Sequence, residues 1–310
     1  MSYDKIISTM KVGFMGPFYP VPDDVPAEKK VEWLFNRAQE MGCTTMDYAF
    51  PFDDSDDAVA KLKDLMQKHN IEPDMRPDNR ADGKRAVFGD DPAYERKQIL
   101  KRSKSMQKLG LNIMRSGYGM LVIPQSRFNR DRKVKDHLDD LVKSLKNVAP
   151  VLEDEGMYLA IENHCDFNAH EFVYVFEEVD SPNVGCALDT GNGLTVFYDI
   201  NEEYKILAPY TITTHIKDMV VIQDTAENHA PFTCCNCNLG DGHLDWQDCI
   251  ETLARKSKFA KGLRLISETG ASGWSPQNNH LSEEEKTKLQ KVYFDTYTEK
   301  LLGYVNSKKK

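Results

Sequence analysis

Short apolar segments alternate with longer amphipathic segments along the chain. Runs rich in β-branched and apolar side chains predict strands, and stretches with apolar residues three or four positions apart predict helices. The predicted strands are 12–15, 44–50, 71–76, 111–116, 158–163, 184–188, 211–216 and 263–267. The predicted helices are 27–41, 57–69, 92–109, 134–155, 169–179, 202–208, 246–258 and 282–302.

Strand–helix units follow one another in this pattern without a low-complexity linker. The alternation favours an α/β fold, a single (β/α)8 TIM barrel over residues 1–310. An open doubly wound sheet is the alternative, but it usually carries a glycine-rich phosphate turn after its first strand. The segment Gly13-Phe14-Met15-Gly16-Pro17 lacks that pattern. The connection after the seventh strand, 219–244, is long enough to be a lid or an interface element.

Charge and composition narrow the classes of function. The formal net charge of −9 and the lack of a large basic stripe argue against nucleic-acid binding. We find no apolar run long enough to span a bilayer and no secretory signal at the start of the sequence. The seven cysteines are an odd number without secretory marks, so we expect them to be reduced. These features predict a cytoplasmic protein that does not bind nucleic acid or membrane.

The last four predicted strands deliver side chains that can bind a metal ion to one rim. Because the carboxyl ends of barrel strands meet at one face, these residues should lie together: Glu162, Asp189, His215 and Glu268. Three carboxylates in one cavity repel each other unless a cation neutralises them. Each carboxylate alone is more commonly a helix N-cap, but all four at equivalent positions predict a site. We predict one divalent ion, Mn²⁺ before Mg²⁺, Co²⁺ or Zn²⁺, with open positions for substrate oxygens.

Five segments resemble the xylose isomerase-like barrel superfamily. They are AIENH (160–164), LDTGN (188–192), HIKD (215–218), LGDGHLDW (239–246) and SETG (267–270). The superfamily contains sugar isomerases, ketose 3-epimerases, inosose dehydratases, C-glycoside deglycosidase catalytic subunits and zinc-dependent apurinic endonucleases. The resemblance implies that the four strand-end residues bind the metal, in agreement with the interpretation above. The resemblance is clear over residues 158–270; before residue 158 only the architecture is shared.

The chain departs from two branches of this superfamily. The apurinic endonucleases have a histidine just after the strand-six aspartate and others at early strand ends. This chain has Asn192 at the first position, and its early strands end in Asp47, Arg76 and Arg115. The ketose 3-epimerases usually place a substrate-binding histidine near position 192 and an arginine shortly after the strand-seven histidine. The departures weigh against a nuclease and against a simple free-ketose epimerase.

The predicted activity is proton abstraction next to a sugar carbonyl. A divalent ion that chelates a ketone and its neighbouring hydroxyl stabilises the enediolate that forms. In an isomerase or epimerase, Glu162 and Glu268 act on opposite faces of the sugar. The alternative is a lyase, either a C-glycoside deglycosidase acting on 3-oxo-glycosides or an inosose-type dehydratase. In that scheme His164 is the base, because it shares a side with Glu162 if the strand continues that far. Orientation of a neighbouring metal ligand is the alternative role for His164.

Three further residues are expected to bind the substrate, a sugar or sugar conjugate: Arg115, Asn192 and Lys217. Structural ion pairs are the alternative for Arg115 and Lys217. The resemblance implies an oligomer, either of identical chains or, for a deglycosidase, with a small second subunit. A non-catalytic sugar-binding barrel is a different class of function, and the complete ligand set argues against it. A second metal site at Cys234-Cys235-Asn236-Cys237 with His229 is disfavoured, because a partner cysteine pair is missing.

Overall fold

Ten strands and nine α-helices are present in the part of the chain described by the computed structural model, residues 2–77, 91–118, 127–223, 232–270 and 272–309. The strands are β1 (Lys11–Phe14), β2 (Thr45–Tyr48), β3 (Glu72–Met75), β4 (Ile113–Gly117), β5 (Tyr158–Glu162), β6 (Val184–Asp189), β7 (Thr211–Ile216), β8 (Met219–Gln223), β9 (Phe232–Asn236) and β10 (Arg264–Ser267). The helices are α1 (Tyr3–Ile7), α2 (Lys30–Met41), α3 (Asp56–His69), α4 (Pro92–Leu109), α5 (Val134–Glu155), α6 (Ala169–Val179), α7 (Ile200–Leu207), α8 (Trp246–Lys256) and α9 (Glu283–Ser307). In these described ranges, no helix has the length and apolar character needed to cross a membrane.

The strands confirm the predicted (β/α)8 barrel. Eight of them form one parallel sheet in the order β1-β10-β7-β6-β5-β4-β3-β2. The ends of this sheet meet through a parallel bridge between Met15 and Asp47 and a 3.0 Å bond from the Thr44 amide to the Val12 carbonyl. Gly13 makes this approach feasible, because a Cβ atom there would overlap the Thr45 carbonyl oxygen. Closure brings the carboxyl ends of all eight strands to one face.

Each helix covers the barrel with an apolar face. In α5, residues three and four positions apart are buried, among them Leu138, Leu141, Leu145 and Leu152. Asp245 caps the start of α8, and a capping box of Ser282 and Glu285 begins α9. The predicted boundaries differ mainly at helix ends: the 27–41 segment opens with a short 3-10 turn, and α9 continues to Ser307. The sequence missed α1, which is only five residues long.

The long 219–244 connection contains an antiparallel hairpin of β8 and β9. Cys234, Cys235 and Asn236 lie within β9, and the seven cysteines are unbonded to one another. His229 lies outside the described residues, within 224–231. Among the described residues, no cluster of metal-ligating side chains includes these cysteines.

Asp218 ties the end of the hairpin segment to the barrel. Its carboxylate accepts hydrogen bonds from the amides of Gly240 (2.8 Å), Gly242 (3.1 Å) and Leu244 (3.0 Å). A side chain at position 242 would overlap the Asp218 carboxylate, so glycine is required there. These bonds hold the segment Gly240-Asp241-Gly242, which leads into α8.

We expect Asp218→Ala to lower the free energy of unfolding by roughly 2–4 kcal/mol, because three amides lose their acceptor at once. Asp241→Ala is the matched control, since it removes an exposed carboxylate from the same turn. That variant should stay within about 0.5 kcal/mol of the wild type. Urea unfolding followed by circular dichroism measures both. Equal stability of the two variants would show that Asp218 does not hold the segment.

Candidate metal centre

The four predicted metal ligands converge at the carboxyl ends of neighbouring strands. Glu162 and Asp189 end β5 and β6, His215 lies at the end of β7, and Glu268 directly follows β10. Asp189 and His215 are register partners across β6 and β7. All four side chains are buried, and one ligand atom from each lies within 4.8 Å of the others. In the described ranges, this is the one group of acidic, histidine or cysteine side chains with that geometry.

Backbone contacts fix the position of Asp189. Asn163 donates from Nδ2 to the Asp189 carbonyl (2.9 Å), and its Oδ1 accepts from the Asp189 amide (2.7 Å). The Asp189 Oδ1 accepts from the Gly191 amide at 2.9 Å, which leaves Oδ2 facing the cluster. Thr190 forms a similar pair of 2.8 Å bonds with the backbone of Lys217. Sequence reasoning gave Asn163 no role, although its place beside Glu162 at a strand end was the available signal.

Arg115 lies beneath the cluster and joins two carboxylates. Its Nη1 donates to Glu162 Oε2 and its Nη2 to Asp47 Oδ2, both at 2.6 Å. Burial opposes ionisation of both carboxyls, but the guanidinium charge outweighs it and holds the pKa values of Asp47 and Glu162 below their usual range. Arg115 is itself only 1% exposed. The predicted contact of Arg115 with substrate stays a prediction, because both terminal nitrogens are engaged by protein carboxylates.

His215 is surrounded by carboxylates on both sides of its ring. Nδ1 lies 2.6 Å from Glu268 Oε2 and 3.5 Å from Glu162 Oε1, and Nε2 lies 3.5 Å from Asp47 Oδ2. Among the described residues, none of these contacts has the alignment of a hydrogen bond. Burial and Arg115 oppose protonation of the ring, but Glu162 and Glu268 outweigh them and raise the pKa of His215 well above its usual value.

Lys217 bridges two of the ligands. Its Nζ lies 2.7 Å from Asp189 Oδ2 and 2.8 Å from Glu268 Oε1. Burial disfavours the ammonium form, but the two carboxylates outweigh it and raise the pKa of Lys217. In return, Lys217 lowers the pKa of Glu268 against the opposing effect of burial. Burial dominates at Asp189 and raises its pKa to about 6.

The charges of this connected network fit a divalent ion. Its members are Asp47, Glu162, Asp189, Glu268, His215, Arg115 and Lys217. With the imidazole neutral, four carboxylates face two cations, so two negative charges remain uncompensated. Without an ion, protons supply the balance, which agrees with the raised pKa values of His215 and Asp189. Carboxylate oxygens with one imidazole are ligands that suit a divalent ion.

His164, the predicted base, and Asn192, a predicted substrate-binding residue, lie beside this network. The structure contradicts the strand continuation assumed for His164, because β5 ends at Glu162 and the His164 amide turns back to the Glu162 carbonyl at 2.9 Å. His164 is half-buried and near enough for its charge to lower the pKa of Glu162. Asn192 is buried, and its Oδ1 accepts from the Cys165 thiol at 3.5 Å. Its Nδ2 has no hydrogen-bond partner in the described part of the chain.

Comparison with known proteins places this site in a family. A 3-oxo-isoapionate decarboxylase from Pectobacterium atrosepticum is 26% identical over 167 residues, which cover 54% of this chain and 55% of that protein. The chain thus spans about half the length of this curated relative. A xylose isomerase-like TIM barrel protein from Mycobacterium smegmatis, crystallised with magnesium, superposes with a TM-score of 0.64 at 15% identity over 97% of this chain and 98% of that one.

A 3-keto-D-glucoside 4-epimerase from E. coli superposes with a TM-score of 0.61 at 14% identity, over 96% of this chain and 99% of that one. At such low identity, these two structures show a shared fold. Residues 35–291 match the sequence profile described as xylose isomerase-like TIM barrel. That match covers most of the chain, which therefore belongs to the xylose isomerase-like TIM barrel family.

Proposed function

We propose that this protein is a divalent-metal-dependent carbohydrate enzyme of the isomerase or epimerase type. In this proposal it abstracts a proton next to a sugar carbonyl. The observation that carries the proposal is the buried ligand cluster, in which Glu162 and Glu268 approach the same ligand, His215. Two related proteins bear the names of enzymes acting on 3-oxo or 3-keto sugars, which supports a keto-sugar or keto-glycoside as substrate.

The two glutamates are the candidate proton carriers. Their pKa values lie below the usual range, so both are ionised at neutral pH and have lone pairs free for a proton. Glu162 is oriented by Arg115, and Glu268 by Lys217. When bound, the ion would stabilise negative charge that develops on the substrate's carbonyl oxygen. Lys217 would supply a second positive charge beside the ligands, and the Asn192 amide, which has no hydrogen-bond partner among the described residues, would be a donor for a sugar oxygen.

A lyase of the same family is the second candidate. The name of the curated relative, a decarboxylase, favours it, because that reaction also breaks a bond next to a carbonyl. His164 would be the base in this scheme, since it lies near Glu162 and is only half-buried.

We retain Mn²⁺ as the first choice of ion, with Mg²⁺, Co²⁺ and Zn²⁺ as alternatives. A cytoplasmic location and assembly into a homo-oligomer, or with a small second subunit, are part of the proposal.

Elemental analysis tests the ligand set. We expect about one Mn, Mg, Co or Zn per purified chain, and loss of that metal in Glu268→Ala because one ligand is removed. Glu95→Ala is the matched control: Glu95 is a buried glutamate on α4 that accepts a hydrogen bond from Ser144 and is outside the ligand cluster, so its variant should keep the metal. A wild-type protein that stays metal-free after incubation with excess Mn²⁺ would contradict the proposal.

Deuterium incorporation distinguishes the two reaction types. In D₂O, the Mn²⁺-loaded enzyme should place deuterium next to the carbonyl of an intact keto-sugar if it is an epimerase. A lyase would release a fragment instead. Glu162→Gln and Glu268→Gln should each slow the reaction by about 100-fold or more, because each removes a proton acceptor but keeps a ligand oxygen. NMR and mass spectrometry measure both outcomes, at metal saturation. Near-normal rates in either variant would exclude that glutamate as a proton carrier.

Metal binding should depend on pH. Because the pKa of His215 is raised well above its usual value, the ring is protonated at neutral pH, and a bound ion must displace that proton. Affinity for Mn²⁺ should therefore rise with pH, by about tenfold per unit while His215 is protonated. Below the pKa of Asp189, at about 6, the dependence should steepen. Calorimetric titration in buffers of different ionisation enthalpy measures the protons released. A constant Kd across this range would show that His215 is not a ligand.

A further inference from the structure

A buried carboxylate from β2 lies on the far side of the histidine ligand. Asp47 is fully buried, and its Oδ2 is 3.5 Å from Nε2 of His215. It is not one of the four residues whose ligand atoms share the 4.8 Å cluster. We infer that Asp47 is a positioning residue, which holds the His215 ring so that Nδ1 faces the metal. This inference rests on the proposed metal binding and assigns a role outside the ligand set.

The two ring nitrogens of His215 have different surroundings. Nδ1 faces Glu268 and Glu162, which are ligands themselves, so an ion among the four residues lies on the Nδ1 side. A neutral imidazole carries its proton on one nitrogen and a lone pair on the other. With Nδ1 as the ligand atom, the proton must be on Nε2. Among the described residues, Asp47 is the one carboxylate in ion-pair distance of Nε2.

A carboxylate on the second nitrogen has two effects on a metal-bound histidine. It selects the tautomer and the ring orientation, and it makes the ligating nitrogen more basic. The 3.5 Å separation of Asp47 Oδ2 and His215 Nε2 is close to hydrogen-bond length, so Asp47 is the carboxylate in position to act on this nitrogen.

Arg115 connects this outer carboxylate to the ligand set. The same guanidinium bonds Asp47 Oδ2 and Glu162 Oε2, each at 2.6 Å. Asp47, Arg115, Glu162 and His215 therefore form a closed ring of contacts. Because β2 and β1 meet at the Met15–Asp47 bridge, the ring is anchored where the barrel closes.

Asp74 offers a matched comparison within the same barrel. It is fully buried on β3, in register with Asp47, and accepts a 3.0 Å bond from Thr213. Across the described chain, it makes no hydrogen bond or ion pair to any of the four ligands. Removing Asp74 deletes a buried carboxylate whose charge also acts on His215, but it removes no hydrogen bond or ion pair to that ring, so it isolates the effect of direct contact.

The test is the affinity for Mn²⁺ alone, measured by competition with a chelating dye. We expect Asp47→Ala to bind Mn²⁺ about 10–100-fold more weakly than the wild type, and Asp74→Ala to bind it nearly as well. Asp47→Asn keeps an acceptor for the Nε2 proton, so it should recover part of the affinity. Wild-type affinity in Asp47→Ala, or an equal loss in Asp74→Ala, would overturn the inference.

A measurement on the wild type does not depend on how the variants fold. In the Mg²⁺-loaded protein with ¹⁵N-labelled histidine, the His215 ring should carry its proton on Nε2, with the chemical shift of a proton donated to a carboxylate. A proton on Nδ1 would overturn the inference.

The Mn²⁺ affinities of the wild type and of Asp47→Ala distinguish a failure of this inference from a failure of the proposed function. If the wild type binds Mn²⁺ but Asp47→Ala binds it equally well, only the role of Asp47 fails. If the wild type binds no metal, the proposed function fails, and the role of Asp47 fails as well.

Discussion

Four carboxylates buried at one end of a barrel can coexist only when positive charge is buried with them. Asp47, Glu162, Asp189 and Glu268 meet this requirement partly through Arg115 and Lys217, each of which bridges two of them. The two cations leave a deficit that protons or a divalent ion must cover. The neighbouring carboxylates raise the pKa of His215, which reflects that deficit, while burial raises the pKa of Asp189; a bound ion would supply the missing charge.

The same requirement explains why the site is built on strand ends. A buried charge pair is favourable only when its geometry is held tightly, and side chains on barrel strands are held more tightly than those on loops. Asn163 reinforces this by bonding the backbone of Asp189 on both sides. Next to Lys217, Asp218 binds three amides of the following segment, so the hairpin connection begins from a fixed point.

The arrangement is compatible with more than one reaction because the early chemistry is shared. Epimerases and lyases both need a base next to a polarised carbonyl and differ in what happens after proton removal. Glu162 and Glu268 both approach His215, whereas the backbone turns after Glu162, so that His164 does not continue the strand. Under the proposed function, this difference favours the two glutamates over His164 as proton carriers.

Much of the architecture was predictable from the sequence. The alternation of short apolar runs and amphipathic stretches predicted all eight barrel strands, because strands and helices have different periods of burial. The hairpin in 219–244 was missed, since its strands are only half-buried and carry no strong alternation. The helix α1 is too short to produce a periodic signal.

The sequence by itself also determined four of the side chains that reach the site, because the carboxyl ends of parallel barrel strands meet at the same rim. It predicted Glu162, Asp189, His215 and Glu268 together, and the structure brings them within contact distance. Only the tertiary structure decided how they are paired. Arg115 and Lys217 were predicted to bind substrate, yet both are bonded to carboxylates from strands far apart in sequence. Asp47 is more than 160 positions from His215, and the two meet only because the barrel closes. Local patterns encode where a side chain points, whereas charge pairing depends on which strands become neighbours across the barrel.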